Sequence, residues 1–170
     1  VLTSQVTYTD QGAARIFDQL RRLAELVVVV GVVGPRGQAV HPESDLSVAT
    51  IALFNEFGTS TAPERSFLRS AVTEGRDDIA RTYQQQVTLV VAGRRDALQA
   101  LDACGRQAAL LVRRKLDRAP EWAVPLSLIT IKRKGSTIPL RDTDTMRKAI
   151  GWSVREGDEN GASLAGGYAV

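Results

Sequence analysis

The sequence predicts an α+β fold, in which a small antiparallel or mixed sheet packs against long amphipathic helices and loops project from the body. Three observations carry this reading. A β-branched run, LVVVVGVV, lies at 26–33, a second strand-like stretch, Trp152-Ser-Val-Arg155, lies near the end, and between them apolar residues recur at helical spacing. The 170 residues suffice for one good core and are short for two, so a single domain over 1–170 is expected, with loop arms near 35–46 and 120–140.

Each element has its own signal. Residues 10–25 place Ala13, Ile16, Phe17, Leu20 and Leu23 at spacings of three and four, the stripe of an amphipathic helix with Asp10 as its N-cap. The valine run that follows reads as a strand buried on both faces or inside a subunit contact. Gly34-Pro35-Arg36-Gly37 then predicts a turn, and 35–46 an exposed loop. From Ser47, SVATIALFNEF is helical, with Val48, Ile51, Ala52 and either Phe54 or Asn55 on one side, and Gly58 suits the left-handed position that ends a helix. After the TSTA loop, Pro63 fits the first position of a new helix and Glu64 its positive end.

Phe67, Leu68, Ala71, Val72, Ile79, Tyr83, Val87, Val90 and Val91 extend that stripe to Gly93, weakened only at Gly75. About 30 residues at 1.5 Å each make about 45 Å, so part of this helix is expected to project or to meet another subunit. A further helix, 95–116, turns Leu98, Leu101, Cys104, Ala108, Leu111 and Val112 inward and pairs with it as an antiparallel hairpin. Beyond Pro120 the chain is broken by Pro125, Gly135 and Pro139, and LSLITIKRK between them reads as a strand and hairpin arm. Asp142 and Asp144 are expected to cap a short helix, MRKAI, and the last residues, GDENGASLAGGYAV, read as a hairpin turn and a glycine-rich end.

Composition narrows the chemistry. Twenty-two Lys and Arg against 19 Asp and Glu leave a formal charge of +3, which permits contact with a nucleic acid without arguing for it. RRKLDR at 113–118 and the run Lys132, Arg133, Lys134 concentrate basic residues in the second half, as solvated faces or as a surface near phosphates. Cys104 is the only cysteine, which excludes an internal disulfide, and its helical position suggests a small buried hydrophobe. His41 is the only histidine, so a histidine metal cluster is excluded, and no GxSxG elbow accompanies it. The glycines of GVVGPRG have neither the GxGxxG spacing nor a GK[ST]. The pairs Asp77, Asp78 and Asp142, Asp144 are explained by helix exposure and capping. No catalytic, metal or cofactor residue is therefore expected. The longest apolar run, Leu26 to Val33, is broken by Gly31 and falls short of the roughly 20 residues of a membrane span, so no membrane partner is expected. The first residues carry no secretory pattern, and a soluble protein of cytoplasmic origin is expected.

A helix-turn-helix regulator is the alternative of another class, with Arg65, Ser66 and Arg69 of the 47–72 segment in the major groove of DNA. Against it, the loop is longer than the usual turn and the second helix opens on apolar Phe67 and Leu68.

Two stretches bear a family likeness. IALFNEFGT, followed after a short loop by a proline and then RSFLRSAV, resembles bacteriophage virion-morphogenesis proteins of the phage Mu G type and related siphophage tail-completion proteins. In these an A..NEFGT segment leads to a P.RPFLRPA-like one. PLRDTDTMRKAIGWSV, 139–154, resembles the family's later LRDTG.LR.SI segment, in the same order along the chain. Ser66 stands where the family often has proline, and Asp144 where it often has glycine.

The resemblance implies a structural corner made of Asn55, Glu56, Phe57, Gly58, Pro63, Arg65, Phe67, Leu68 and Arg69, with Leu140, Arg141, Asp142, Thr143, Met146, Arg147 and Ile150 as its second segment. In such a corner Phe57 and Phe67 would pack inside, and Glu56, Arg65, Arg69 or Arg141 would form ion pairs that set register. The function it implies is that of a phage neck, tail-completion, tail-terminator or minor tail protein, made in the host cytoplasm and located at the head–tail junction of the virion. Its partners would be further copies in a homo-oligomeric ring of about six or twelve, head-side connector and portal proteins, and tail proteins. Lys132, Arg133 and Lys134 would touch genome DNA in the lumen only non-specifically.

Overall fold

The computed structural model describes residues 11–42, 44–135, 137–140 and 144–157. Asp10, the glycine-rich end at 158–170, and Arg141, Asp142 and Thr143 lie outside the described residues. The fold is α+β, as the sequence predicts: a two-stranded antiparallel ribbon packed on helices.

The chain begins with α1 (Gln11–Glu25), which passes without a loop into β1 (Leu26–Val32). Leu20 and Leu23 of α1 join the core, but Phe17 is 66% exposed, so the predicted stripe is used only in its second half. β1 pairs with β2 (Ile150–Glu156) in unbroken register from Leu26 opposite Glu156 to Val32 opposite Ile150. Within β1 only Leu26 and Gly31 are fully buried, so of the two expectations for this strand, burial on both faces within the chain is not met. Val28, Val30, Trp152 and Val154 face the core, and the described residues add no further strand to the ribbon.

Residues 35–46 are not the expected open loop. Pro35 sits at the start of α2 (Gly34–Gln38), where its missing N–H is no loss. A bridge between Val40 and Ser47 then folds the segment back. Ser47 caps α3 (Val48–Phe57), its hydroxyl accepting from Thr50 N at 3.1 Å.

The single long helix expected over 63–93 is divided. Pro63 lies in an irregular stretch, and α4 (Leu68–Glu74) starts only after Phe67. Gly75 separates α4 from α5 (Arg76–Val91), which leaves Val72, Tyr83 and Val91 39%, 42% and 48% exposed. A Cβ at Gly75 would come within 2.5 Å of Leu111 Cδ1, so the break lies where the chain presses against the next helix. That helix is α6 (Ala97–Asp117), opened by a capping box in which Asp96 accepts from Gln99 N and Gln99 accepts from Asp96 N. α5 and α6 form the expected antiparallel hairpin, although Leu98 points outward and is 51% exposed.

The expected hairpin arm in LSLITIKRK is helical. After α7 (Ala119–Trp122), Ser127 caps α8 (Leu128–Lys134) by accepting from Thr130 N, and Gly135 ends it in the left-handed region at φ 69°. The β-branched residues favour a strand, but a cap at each end outweighs them in a segment with which no strand pairs among the described residues. α8 projects, with Leu128 84% and Ile129 83% exposed. Finally α9 (Thr145–Ala149) leads into β2; Asp144 precedes it at φ 56° and makes no side-chain cap.

α6 serves two buried clusters. One, near the hairpin turn, gathers Leu23, Leu26, Val90, Ala97, Ala100 and Leu101. The other gathers Val48, Ala52, Phe67, Ala109, Val112, Met146 and Ile150. Between them Trp152 lies against Gly105 of α6, and its Nε1 donates to Asp102 Oδ1 at 2.8 Å. Cys104 is buried, and burial pushes its thiol pKa up, in keeping with the small hydrophobe read from the sequence. No helix among the described residues is long and apolar enough to cross a membrane.

A Cβ at Gly105 would penetrate the Trp152 indole and come within 3.0 Å of Val28 Cγ1. Gly105→Ala should therefore lower stability by about 1–3 kcal/mol in urea unfolding, despite alanine's better helix propensity. The hydrogen bond from Trp152, then that from Arg106, holds the Asp102 carboxyl below its ordinary pKa. A depressed folded-state pKa stabilises above the unfolded value and loses that contribution as pH falls through the folded one. Asp102→Asn should flatten the acid limb of the stability curve below about pH 3.9, while leaving its shape near neutrality unchanged.

Candidate functional site: the Glu56 corner

The corner is built around one buried carboxylate. α3 carries Glu56 in its last turn, only 3% exposed, and aims it at the start of α4. Phe67 occupies the N-cap of α4 and supplies no side-chain cap of its own, so the first amides of the helix need an outside acceptor. Glu56 is that acceptor. Oε2 takes the N–H groups of Phe67 at 2.9 Å and Leu68 at 2.8 Å; Oε1 takes the Arg69 N–H at 2.9 Å and the Ser66 hydroxyl at 2.7 Å. Arg69 Nε adds a charge-assisted bond to Oε1 at 3.0 Å. A negative charge at a helix N-terminus is favourable, and here it arrives from a different helix.

The neighbouring residues hold the carboxylate in place. Asn55 Nδ2 donates to Ile51 O at 2.8 Å, while Asn55 O accepts from Arg65 N at 2.7 Å. Gly58 has φ 74° with ψ 178°, a positive-φ turn but not the left-handed helix end expected for it. A Cβ there would also lie 2.8 Å from Glu64 N, so sterics and backbone conformation both require glycine. The 59–62 loop closes on itself, with Thr59 N donating to Ala62 O at 2.8 Å and Ala62 N donating to the Thr59 hydroxyl at 3.0 Å.

The two arginines separate in role. Arg69 spans Glu56 and Glu64, the latter at 2.6 Å, and its guanidinium stacks over Phe57 at 4.6 Å from the ring centre. Glu56 first, then Glu64, raises its pKa. Arg65 forms no expected ion pair: its Nε donates to Val124 O at 2.9 Å and its Nη2 to Pro125 O at 3.4 Å. Burial lowers its pKa, and its partners are the backbone carbonyls that lead to α8. Phe67 is buried as expected, whereas Phe57 is 43% exposed and Phe54 41%, so Phe57 serves as a platform for Arg69 rather than as core.

The second segment reaches the same place. Leu140, Met146 and Ile150 pack in the cluster that holds Val48, Ala52 and Phe67, and Leu68 lies against it. Arg147 turns away and forms a two-point ion pair with Asp117, at 2.6 and 3.0 Å. An open cavity of about 800 Å³ lies between the two segments, lined among others by Asn55, Arg65, Pro125, Thr130 and Met146. Lys132 is exposed; the side chains of Arg133 and Lys134 are outside the described residues. Sequence reasoning missed Asp117, the Val124 and Pro125 carbonyls, and the exposed pair Leu128 and Ile129. Only the last left a signal, in the Ser127 and Gly135 that bracket them.

Among the described residues no group of three or more His, Cys, Asp or Glu is arranged to hold a metal ion. The chemistry of the corner is that of an assembled joint: every polar atom of the Glu56 carboxylate is engaged in fixing the angle between α3 and α4. Glu56→Ala leaves several amides without an acceptor in a closed site and should cost about 3–5 kcal/mol in denaturant unfolding. Glu56→Gln should recover part of that loss, since it restores one acceptor oxygen and places an NH₂ against N–H groups. Comparison with protein-family models, with curated proteins and with solved structures gives no match to this chain.

Proposed function

We propose that the chain is a structural subunit of a bacteriophage neck, a tail-completion protein that forms a ring between the head-side connector and the tail. The observation that carries the reading is convergence. The two stretches that resemble the family lie about 70 residues apart in sequence, yet Phe67 of the first and Met146 and Ile150 of the second share one core cluster.

Details at the two departures from the family pattern agree with it. Asp144 stands at φ 56°, a conformation that favours the glycine of the family pattern and that aspartate tolerates. Ser66, in the place of the family's proline, turns its hydroxyl onto Glu56. The corner then gives the subunit a fixed angle, and the protein works by binding rather than by catalysis. Its ring of about six or twelve copies would use different surfaces on its two sides, as head-to-tail closure requires. Exposed Leu128 and Ile129 on α8 supply an apolar anchor for one neighbour, and the adjoining basic run gives weak, salt-sensitive contact with DNA in the lumen. A tail-terminator or minor tail role draws on the same features.

The geometry weighs against the helix-turn-helix alternative. A recognition helix presents its N-terminal residues to bases, but here Glu56 occupies the first amides of α4, and Arg65 and Arg69 are committed to the corner.

Native mass spectrometry of the protein with phage heads that lack it tests the proposal. Addition in a fixed multiple, absent with complete heads, is the expected outcome. Leu128→Ser with Ile129→Ser should keep the circular dichroism of the parent and add to heads more than tenfold less well, as loss of an anchor of about 2 kcal/mol implies. A chain that ignores heads and binds duplex DNA at moderate salt would sink the neck reading and promote the regulator.

A further inference from the structure

The corner buries one cation without a counter-ion. Arg65 is only 9% exposed, and its Nε and Nη2 donate to the carbonyls of Val124 and Pro125. A guanidinium carries five N–H donors, so these two bonds leave three, the pair on Nη1 among them. Nη1 has no bond among the described residues and is not fully enclosed. Arg69, Arg106 and Arg147, all more exposed, each pair with a carboxylate; among the described residues Arg65 has none. Burying a cation in this way is costly, and the burial lowers its pKa.

Arg65 lines the open cavity between the corner and the second segment, whose volume of about 800 Å³ is that of a ligand site. The other walls suit a peptide. Ile51, Leu126 and Met146 contribute apolar surface. Asn55 Nδ2 is engaged with Ile51 O, and Asn55 Oδ1 has no donor among the described residues, so it is free to accept a main-chain N–H. Ser127 and Thr130, three residues apart on one face of α8, add hydroxyls. Leu128 and Ile129 lie off that face, so the cavity is a surface distinct from the apolar anchor. Asp144 also lines the cavity; after Asp117 it is a further cause of the raised Arg147 pKa, so its charge acts towards Arg147. A carboxylate, with one charge, matches Arg65, whereas the second charge of a phosphate would meet Asp144.

We propose that this cavity is a receptor for an acidic peptide segment of a partner protein, in which an Asp or Glu carboxylate pairs with Arg65 and a neighbouring main-chain N–H donates to Asn55 Oδ1. The Val124 and Pro125 carbonyls hold the guanidinium in place beforehand, so little order is lost when the acid arrives. The partner supplies the counter-charge that the chain lacks. The site requires neither Leu128 nor Ile129 and stands or falls apart from the phage reading.

NMR titration of the full chain with the capped tripeptide Leu-Glu-Leu tests it. The peptide should shift the Arg65 Nε–H and Asn55 side-chain amide signals saturably, and capped Leu-Gln-Leu should bind about tenfold more weakly. Ala62→Phe, which adds bulk to the cavity from the 59–62 loop, should keep the circular dichroism of the parent and abolish the shifts. Arg65→Lys should weaken Leu-Glu-Leu about tenfold and leave Leu-Gln-Leu unchanged, a difference that loosening of the Val124 and Pro125 contacts alone would not produce. Absence of binding, equal binding of the two peptides, or shifts that persist in Ala62→Phe would overturn the proposal. Inorganic phosphate or butyrate binding as tightly as Leu-Glu-Leu would overturn it in favour of a simple anion site. Binding that appears only in Asp142→Asn would mean that an acid of the chain itself fills the cavity, and would overturn it as well.

Discussion

One carboxylate determines the arrangement of the rest. α4 begins with amides that nothing local can satisfy, and α3 ends in a residue whose side chain would be costly to bury alone. Each supplies what the other lacks. The pairing fixes the helix angle and carries Phe67 into the centre of the larger cluster, and through Arg65 it holds the backbone that leads to α8. Gly58 and the closed loop at 59–62 follow from the same demand, because the chain must turn within a few residues without moving the carboxylate from its amides.

Much of the architecture was legible in the sequence where a pattern had a single physical meaning. The valine run and Trp152 to Arg155 read as strands, which the structure pairs with each other, and Leu101, Cys104, Ala108 and Val112 read as facing inward on α6, as they do. Legibility failed where apolar residues exceeded the surface available to cover them. Phe17, Leu98, Tyr83 and Val91 continue helical stripes in sequence, but the described residues leave them exposed. A stripe states which residues share a face; it does not state how far the opposing surface extends.

The structure brings the corner residues of α3 and α4 together, with partners that differ in part from those expected. Glu56 with Arg69 is the kind of pair that the side chains suggest, but Arg65 binding main-chain carbonyls leaves no mark in a sequence, since any residue can supply a carbonyl. Phe57 was expected inside because it is large and apolar; a guanidinium over its face serves as well at the surface. The α8 segment shows the opposite failure. Its β-branched composition concealed the two boundary residues that decide it, Ser127 and Gly135.

At Cys104, Gly105 and Ala108 small side chains let Trp152 settle on α6, between the cluster at the hairpin turn and the cluster at the corner. The two clusters share α6 and the ribbon, and α4 and α5, which meet at Gly75, join them as well. Trp152 packs on the corner cluster and Val28 on the other, and both lie against the bare face of Gly105. A side chain at position 105 would therefore press on both ends of the molecule at once, so one missing methyl group keeps the two clusters in a common frame.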